Sequence, residues 1–300
     1  MDMTQNKCCR HGASLRRRRR RRRKILRSVI FSCSIIAVAV FVAVGSRMIT
    51  SGDGGTNKYD VEAGNNTYDN AVIENSKISE NNKIQNNQSM LDDIMNSTKY
   101  PKQLQDLAFK NEEALEFVYD YPAEHVKEHT IDLTEEASMD SVPLLVQWDK
   151  RWGYEKYSGN FFAASGCGPT TLSMVVVYLT HNREASPIAV AKYSKEAGYS
   201  VDGSGSSWTL ISEGCMHYGV KAKTVALDES RMKAELDAGH PIVINVGPGD
   251  FTDTGHFMVI TGYDDEGFSI NDPNSIEKSG KRWLFKNISS QIRAVWSMYV

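Results

Sequence analysis

The 300 residues carry a formal net charge of −2 and five cysteines. The charge is divided: twelve Lys/Arg against one Asp in residues 1–27 leave the rest of the chain thirteen charges negative. An acidic body argues against adhesion to polyanions such as nucleic acid. The cysteines argue against a disulfide framework, because Cys8, Cys9 and Cys33 precede Arg47 and only Cys167 and Cys215 follow it.

Arg16 through Lys24 form an unbroken basic run, and Ser28 to Ser46 contain no charge. Such a stretch, at about 1.5 Å per residue, spans about 28 Å, close to the ~30 Å hydrocarbon core of a bilayer. The positive-inside rule then predicts a basic cytosolic tail over 1–27 and a transmembrane signal anchor over 28–46, with the rest of the chain outside the cell membrane. The rival is a signal peptide cleaved near Ala43-Val44-Gly45, but the apolar run exceeds a typical ~7–15-residue h-region. Residues 47–96 are rich in Asn, Ser, Gly, Lys and Glu. They read as a disordered linker with little to bury.

Order is expected to resume in a helical lead-in over 97–138. Leu104, Leu107, Ala108, Leu115 and Val118 recur at helical spacing, and Tyr119-Asp120-Tyr121-Pro122 ends the run. His125 and His129 are four apart but lack a third ligand, so no metal is expected. The remaining 139–300 read as one domain. Val142-Pro143-Leu144-Leu145-Val146 predicts a strand that leads to Gln147.

Ser165-Gly166-Cys167-Gly168-Pro169-Thr170 puts a cysteine at the mouth of a helix. Pro169 suits a first helical turn. Leu172, Val175, Val176 and Leu179 mark a buried face. A thiol at a helix N-terminus is favoured as thiolate by about one pKa unit or less, so a neighbouring imidazolium must supply the rest.

Farther on, Ser186-Pro187 starts a helix that Gly198 ends. The Gly/Ser loop before Trp208 has no phosphate-loop lysine pattern, so no nucleotide is expected, and it is a candidate for the substrate cleft. Cys215 reads as a buried residue within a helix. Asp228 to Asp237 predicts another helix, and Pro241 to Val246 a central strand.

His256 opens an apolar, β-branched run that predicts a strand, Asp264-Asp265-Glu266-Gly267 a turn, and Phe268-Ser269-Ile270 the return strand, which ends at Asn271-Asp272-Pro273. The hairpin would set the Asp272 carboxylate beside the His256 imidazole. Cys167, His256 and Asp272 are thus candidates for nucleophile, base and orienter.

Three blocks, Val142 to Asp149, Gly166 to Thr170, and Gly255 to Pro273, resemble papain-like cysteine peptidases of the kind that process bacteriocin double-glycine leaders, in their broader peptidase-like branch. The resemblance covers roughly half of the chain. It implies that Cys167 is the nucleophile, His256 the base, Asp272 the orienter and Gln147 the side-chain donor of the oxyanion hole. Twenty positions separate Gln147 from Cys167, so Trp152 to Phe162 would have to leave and return as a loop.

The expected fold is α+β and papain-like, with the nucleophile at a helix N-terminus packed on an antiparallel sheet that carries His256 and Asp272. The expected function is hydrolysis of peptide bonds by an exported, membrane-tethered cysteine peptidase through a thioester. It would act as a monomer on a peptide or protein substrate, without a cofactor. The alternatives are a cell-wall peptide amidase or transpeptidase with the same triad, and a peptide-binding domain of the same fold without turnover.

Overall fold

A computed structural model describes the backbone of residues 66–300 and the side chains of residues 79–300. The expected cytosolic tail and anchor lie outside the described residues. Among the described residues no helix is long and apolar enough to cross a membrane.

Helix α1, Asn66–Asn96, corrects the expectation of a disordered linker over that segment. No Gly or Pro interrupts these residues. Their many Asn give weak helix propensity, so the helix depends on packing at its C-terminal end. There Met90, Leu91 and Ile94 join the core of the lead-in, and Gln105 Nε2 donates to the terminal carbonyl of Ile94 at 3.0 Å. The predicted lead-in helix divides into α2, Lys102–Lys110, and α3, Leu115–Tyr119. Asn111 breaks it: its backbone is extended (φ −131°, ψ 101°) and its side chain accepts from Glu113 N.

The main body has a six-stranded antiparallel sheet. Its strands are β1 Lys221–Thr224, β2 Ile242–Val246, β3 His256–Asp264, β4 Gly267–Asn271, β5 Arg282–Trp283 and β6 Ile292–Tyr299, in the order β1-β6-β2-β3-β4-β5. Strand alternation divides the inner residues between two cores. Val243, Phe257 and Val259 face α4, Cys167–Thr180, and α5, Pro187–Glu196. Ile242, Ile244, Met258 and Ile260 pack with Met232 of α6, Glu229–Asp237.

The α5 and α6 predictions hold, with Ser186 and Asp228 accepting at the helix N-termini. Two local expectations are corrected. Val142 to Val146 form no strand: the segment runs irregularly, tied by Gln147 N donating to Pro273 O at 2.8 Å. Cys215 is fully buried, as expected, but in a 3₁₀ turn, Gly214–Tyr218.

Candidate active site

The loop that follows Gln147 does leave and return. Lys156–Tyr157 pair with Asn160–Phe161 in a short hairpin, and Phe162 N and Ala163 N donate back to Glu155 O (2.7 Å) and Gly153 O (3.0 Å). A short helical turn, Phe162–Ser165, then delivers the chain to Cys167 at the start of α4. The two glycines beside Cys167 serve close packing, since Gly166 has an ordinary φ of −84°. A Cβ at Gly166 would meet the Phe162 ring at 2.5 Å, and one at Gly168 would meet Ser206 Oγ at 2.5 Å. Behind the cysteine α4 is buried from Gly168 to Val177, wider than one face. The helix is therefore fixed, and the Cys167 N–H heads it, where no carbonyl of the helix can reach.

His256 begins β3, and Asp272 follows the last residue of β4. The two are 6% and 1% exposed, and His256 Nε2 bonds Asp272 Oδ1 at 2.6 Å. A register shift between Ile260 and Gly262 makes this meeting possible. Thr261 is the extra residue of that bulge, and below it Ile260 pairs with Ile270 and Val259 with Asn271. Continued by one step, that register sets Asp272 opposite Met258, on the face His256 shares.

With Nε2 engaged by Asp272, Nδ1 is the ring nitrogen left to serve the half-buried Cys167 thiol, which lies against the imidazole. Burial pushes the thiol up. The His256 imidazolium and the backbone N–H groups of Phe257 and Gly168 outweigh burial and hold Cys167 below its ordinary value. Burial likewise pushes His256 down, but the charge and hydrogen bond of Asp272 raise it to about 10. Both shifts favour a thiolate–imidazolium pair, the form that is chemically competent for attack on a carbonyl. Cys215 is the reverse case: burial in an apolar site raises it to about 11.

Gln147 is 4% exposed. Its Nε2 donates to Ala163 O at 2.7 Å and to Asn274 Oδ1 at 3.4 Å, while Oε1 has no partner among the described residues. It therefore sits between the approach to Cys167 and the loop after Asp272. Asn274 was missed by sequence reasoning. It binds Asp272 Oδ1 through its backbone N–H at 2.8 Å and accepts the Trp148 indole N–H at 3.2 Å. An Asp followed by Asn two positions later is an Asx-turn signal, and it could have pointed there. The Trp208 ring is about half exposed and stands edge-on to Trp296 at 6.0 Å, which in turn lies 6.3 Å from Phe257. A separate cavity of about 310 Å³, lined in part by Tyr178, His240, Thr261 and Asn271, opens toward the other ends of β2 and β3. It takes no part in this chemistry. Among the described residues no cluster of His, Cys, Asp and Glu could hold a metal ion.

Residues 139–300 match the Peptidase_C39 like family. The chain belongs to that family. Its fold is the mixed arrangement of helices and antiparallel sheet that the resemblance implied, and its membership points to a cysteine peptidase. Among solved structures, the chain is similar to the peptidase domain of Streptococcus ComA, a bifunctional ABC transporter involved in a quorum-sensing pathway. The identity is 20%, over 45% of this chain and 90% of that one, with a TM-score of 0.37. It is also similar to a C39-like peptidase from Bacillus anthracis, at 18% identity over 53% of this chain and 95% of that one, with a TM-score of 0.34. No curated protein matches.

Proposed function

We propose that this C39-like chain is an exported, membrane-tethered cysteine peptidase whose catalytic triad is Cys167, His256 and Asp272. The observation that carries the reading is the buried 2.6 Å bond from His256 Nε2 to Asp272 Oδ1, with the Cys167 thiol against the same imidazole. Cys167 Sγ attacks the scissile carbonyl carbon. The oxyanion meets the Cys167 backbone N–H and the second N–H of Gln147 Nε2, for which Asn274 Oδ1 is only a long partner. His256 gives its proton to the leaving amine, leaving a thioester. The neutral imidazole then takes a proton from water, which attacks the thioester and releases the acid. Asp272 holds the ring and its charge throughout.

The basic run before Arg27 and the uncharged stretch Ser28 to Ser46 support a cytosolic N-terminus, a single membrane anchor and a catalytic domain outside the cell. A charged, membrane-impermeant thiol-alkylating probe applied to intact cells tests both parts of the reading. Labelling is expected in the membrane fraction, lost with Cys167→Ala and retained with Cys215→Ser. A label that follows Cys215, or that appears only after lysis, would refute the assigned nucleophile or the assigned topology respectively.

A further inference from the structure

The family match begins at residue 139, yet the loop that follows Asp272 is held from ahead of it. Asn111 Nδ2 donates to Asn274 O at 2.8 Å and to Asn274 Oδ1 at 3.2 Å. Two residues on, the Glu113 carboxylate takes the Ser275 hydroxyl on Oε1 and the backbone N–H groups of Ile276 (2.7 Å) and Glu277 (3.0 Å) on Oε2. Asn111 is itself fixed, because its Oδ1 accepts from Glu113 N at 3.1 Å. One side chain thus ends α2, caps the next turn and reaches Asn274.

Asn274 is the point where these bonds meet the site. Its N–H holds Asp272 Oδ1, and its Oδ1 takes Gln147 Nε2. Asp272 Oδ2 has no partner among the described residues, so the direction of the carboxylate depends on the two bonds to Oδ1. On the other flank Leu104, Leu107 and Phe117 share one core with Phe161 and Ala163. Ala163 supplies the carbonyl that holds the Gln147 amide.

We propose that Asn111 and Glu113 are positioning residues of the catalytic centre. Acting through Asn274 and Ser275, they keep the Asp272 carboxylate aimed at His256. The proposal rests on the triad reading above. Its physical content is electrostatic. A carboxylate free to rotate stabilises the imidazolium less, the proton leaves His256 earlier, and the Cys167 thiolate forms only at higher pH. The segment before residue 139 is then a working part of the enzyme, where a spacer would have no effect on the thiol.

The test is the pH dependence of iodoacetamide alkylation, read at the Cys167 peptide by mass spectrometry in the full chain. Asn111→Asp keeps the capping oxygen but turns a donor into an acceptor facing two acceptors. Glu113→Gln keeps the shape and one accepting oxygen, and Glu113→Ala removes both. The apparent pKa of alkylation is expected to rise by about one unit in Asn111→Asp, less in Glu113→Gln and most in Glu113→Ala. Should Glu113→Ala not fold, the other two variants decide. A profile that superimposes on the unmodified chain overturns the proposal, even when the melting temperature falls, since a mere structural brace would do only that. An unmodified chain whose Cys167 titrates as an ordinary thiol overturns instead the triad reading on which the proposal rests.

Discussion

His256 is charged at pH values where an ordinary imidazole has lost its proton. Burial alone would lower it from 6.5, and Asp272 instead raises it to about 10. A group whose pKa is raised on folding stabilises the fold fully below its unfolded value, and that stabilisation is lost as pH climbs through the folded value. The contribution of the pair is therefore full below about pH 6.5 and gone above about 10. Asp272→Asn removes it. In a Cys167→Ala background, which silences the titration of the thiol and removes its own upward pull on His256, the melting temperature gap caused by Asp272→Asn is expected to narrow as pH rises above about 6.5. A gap of constant size would mean that His256 does not carry the charge. These three side chains were legible in the sequence because each sits at an element boundary with its own local signal: a helix mouth, a strand start, a strand end. Gln147 was reached only through the family resemblance, since nothing in its neighbours marks a donor. Asn274 was not reached at all. Its role comes from Asn111, Gln147 and Asp272, which no local pattern brings together.

The hairpin of β3 and β4 was predicted as an element, but its bulge was not. A period of two says only that residues alternate. Whether residue 256 and residue 272 share a face depends on whether one residue between them is left out of the pairing. Asp264 pairs with Gly267 beside the turn, and Tyr263 and Gly262 continue that count. Without Thr261 as an unpaired residue, the same count would set Asp272 opposite Val259 and on the other face. Deletion of Thr261 removes the bulge but leaves the pairs Gly262–Ser269, Ile260–Ile270 and Val259–Asn271 as they are, so Asp272 is expected to stay on the face of His256. Alkylation of Cys167 in that variant should keep the profile of the unmodified chain. A shift to an ordinary thiol profile would show that the bend of the bulge, beyond the register it sets, holds Asp272 at His256. The glycines of Gly166-Cys167-Gly168 teach a related lesson. Their presence was legible, but their reason was not: space for Phe162 and Ser206 is decided by distant residues.

For the chain as a unit, composition was a fair guide to the acidic body and a poor one to residues 66–96. There the Asn content suggested disorder, while Met90, Leu91 and Ile94 found a partner surface in the lead-in. The division into lead-in and catalytic domain, drawn from hydrophobic spacing, is crossed by the bonds from Asn111 and Glu113. A single sequence shows segments, and the bonds between segments belong to the folded state. The ends of the sheet carry a last consequence. β1 closes one side with exposed Lys221 and Lys223, and β5 closes the other with only two residues. Neither border offers a long apolar ribbon on which a foreign chain could zip, so the sheet is guarded against fibril growth from its own edges. Replacing both lysines of β1 with valine should bring on concentration-dependent light scattering that the unmodified protein lacks, and solutions that stay clear would show that the charges are not the guard.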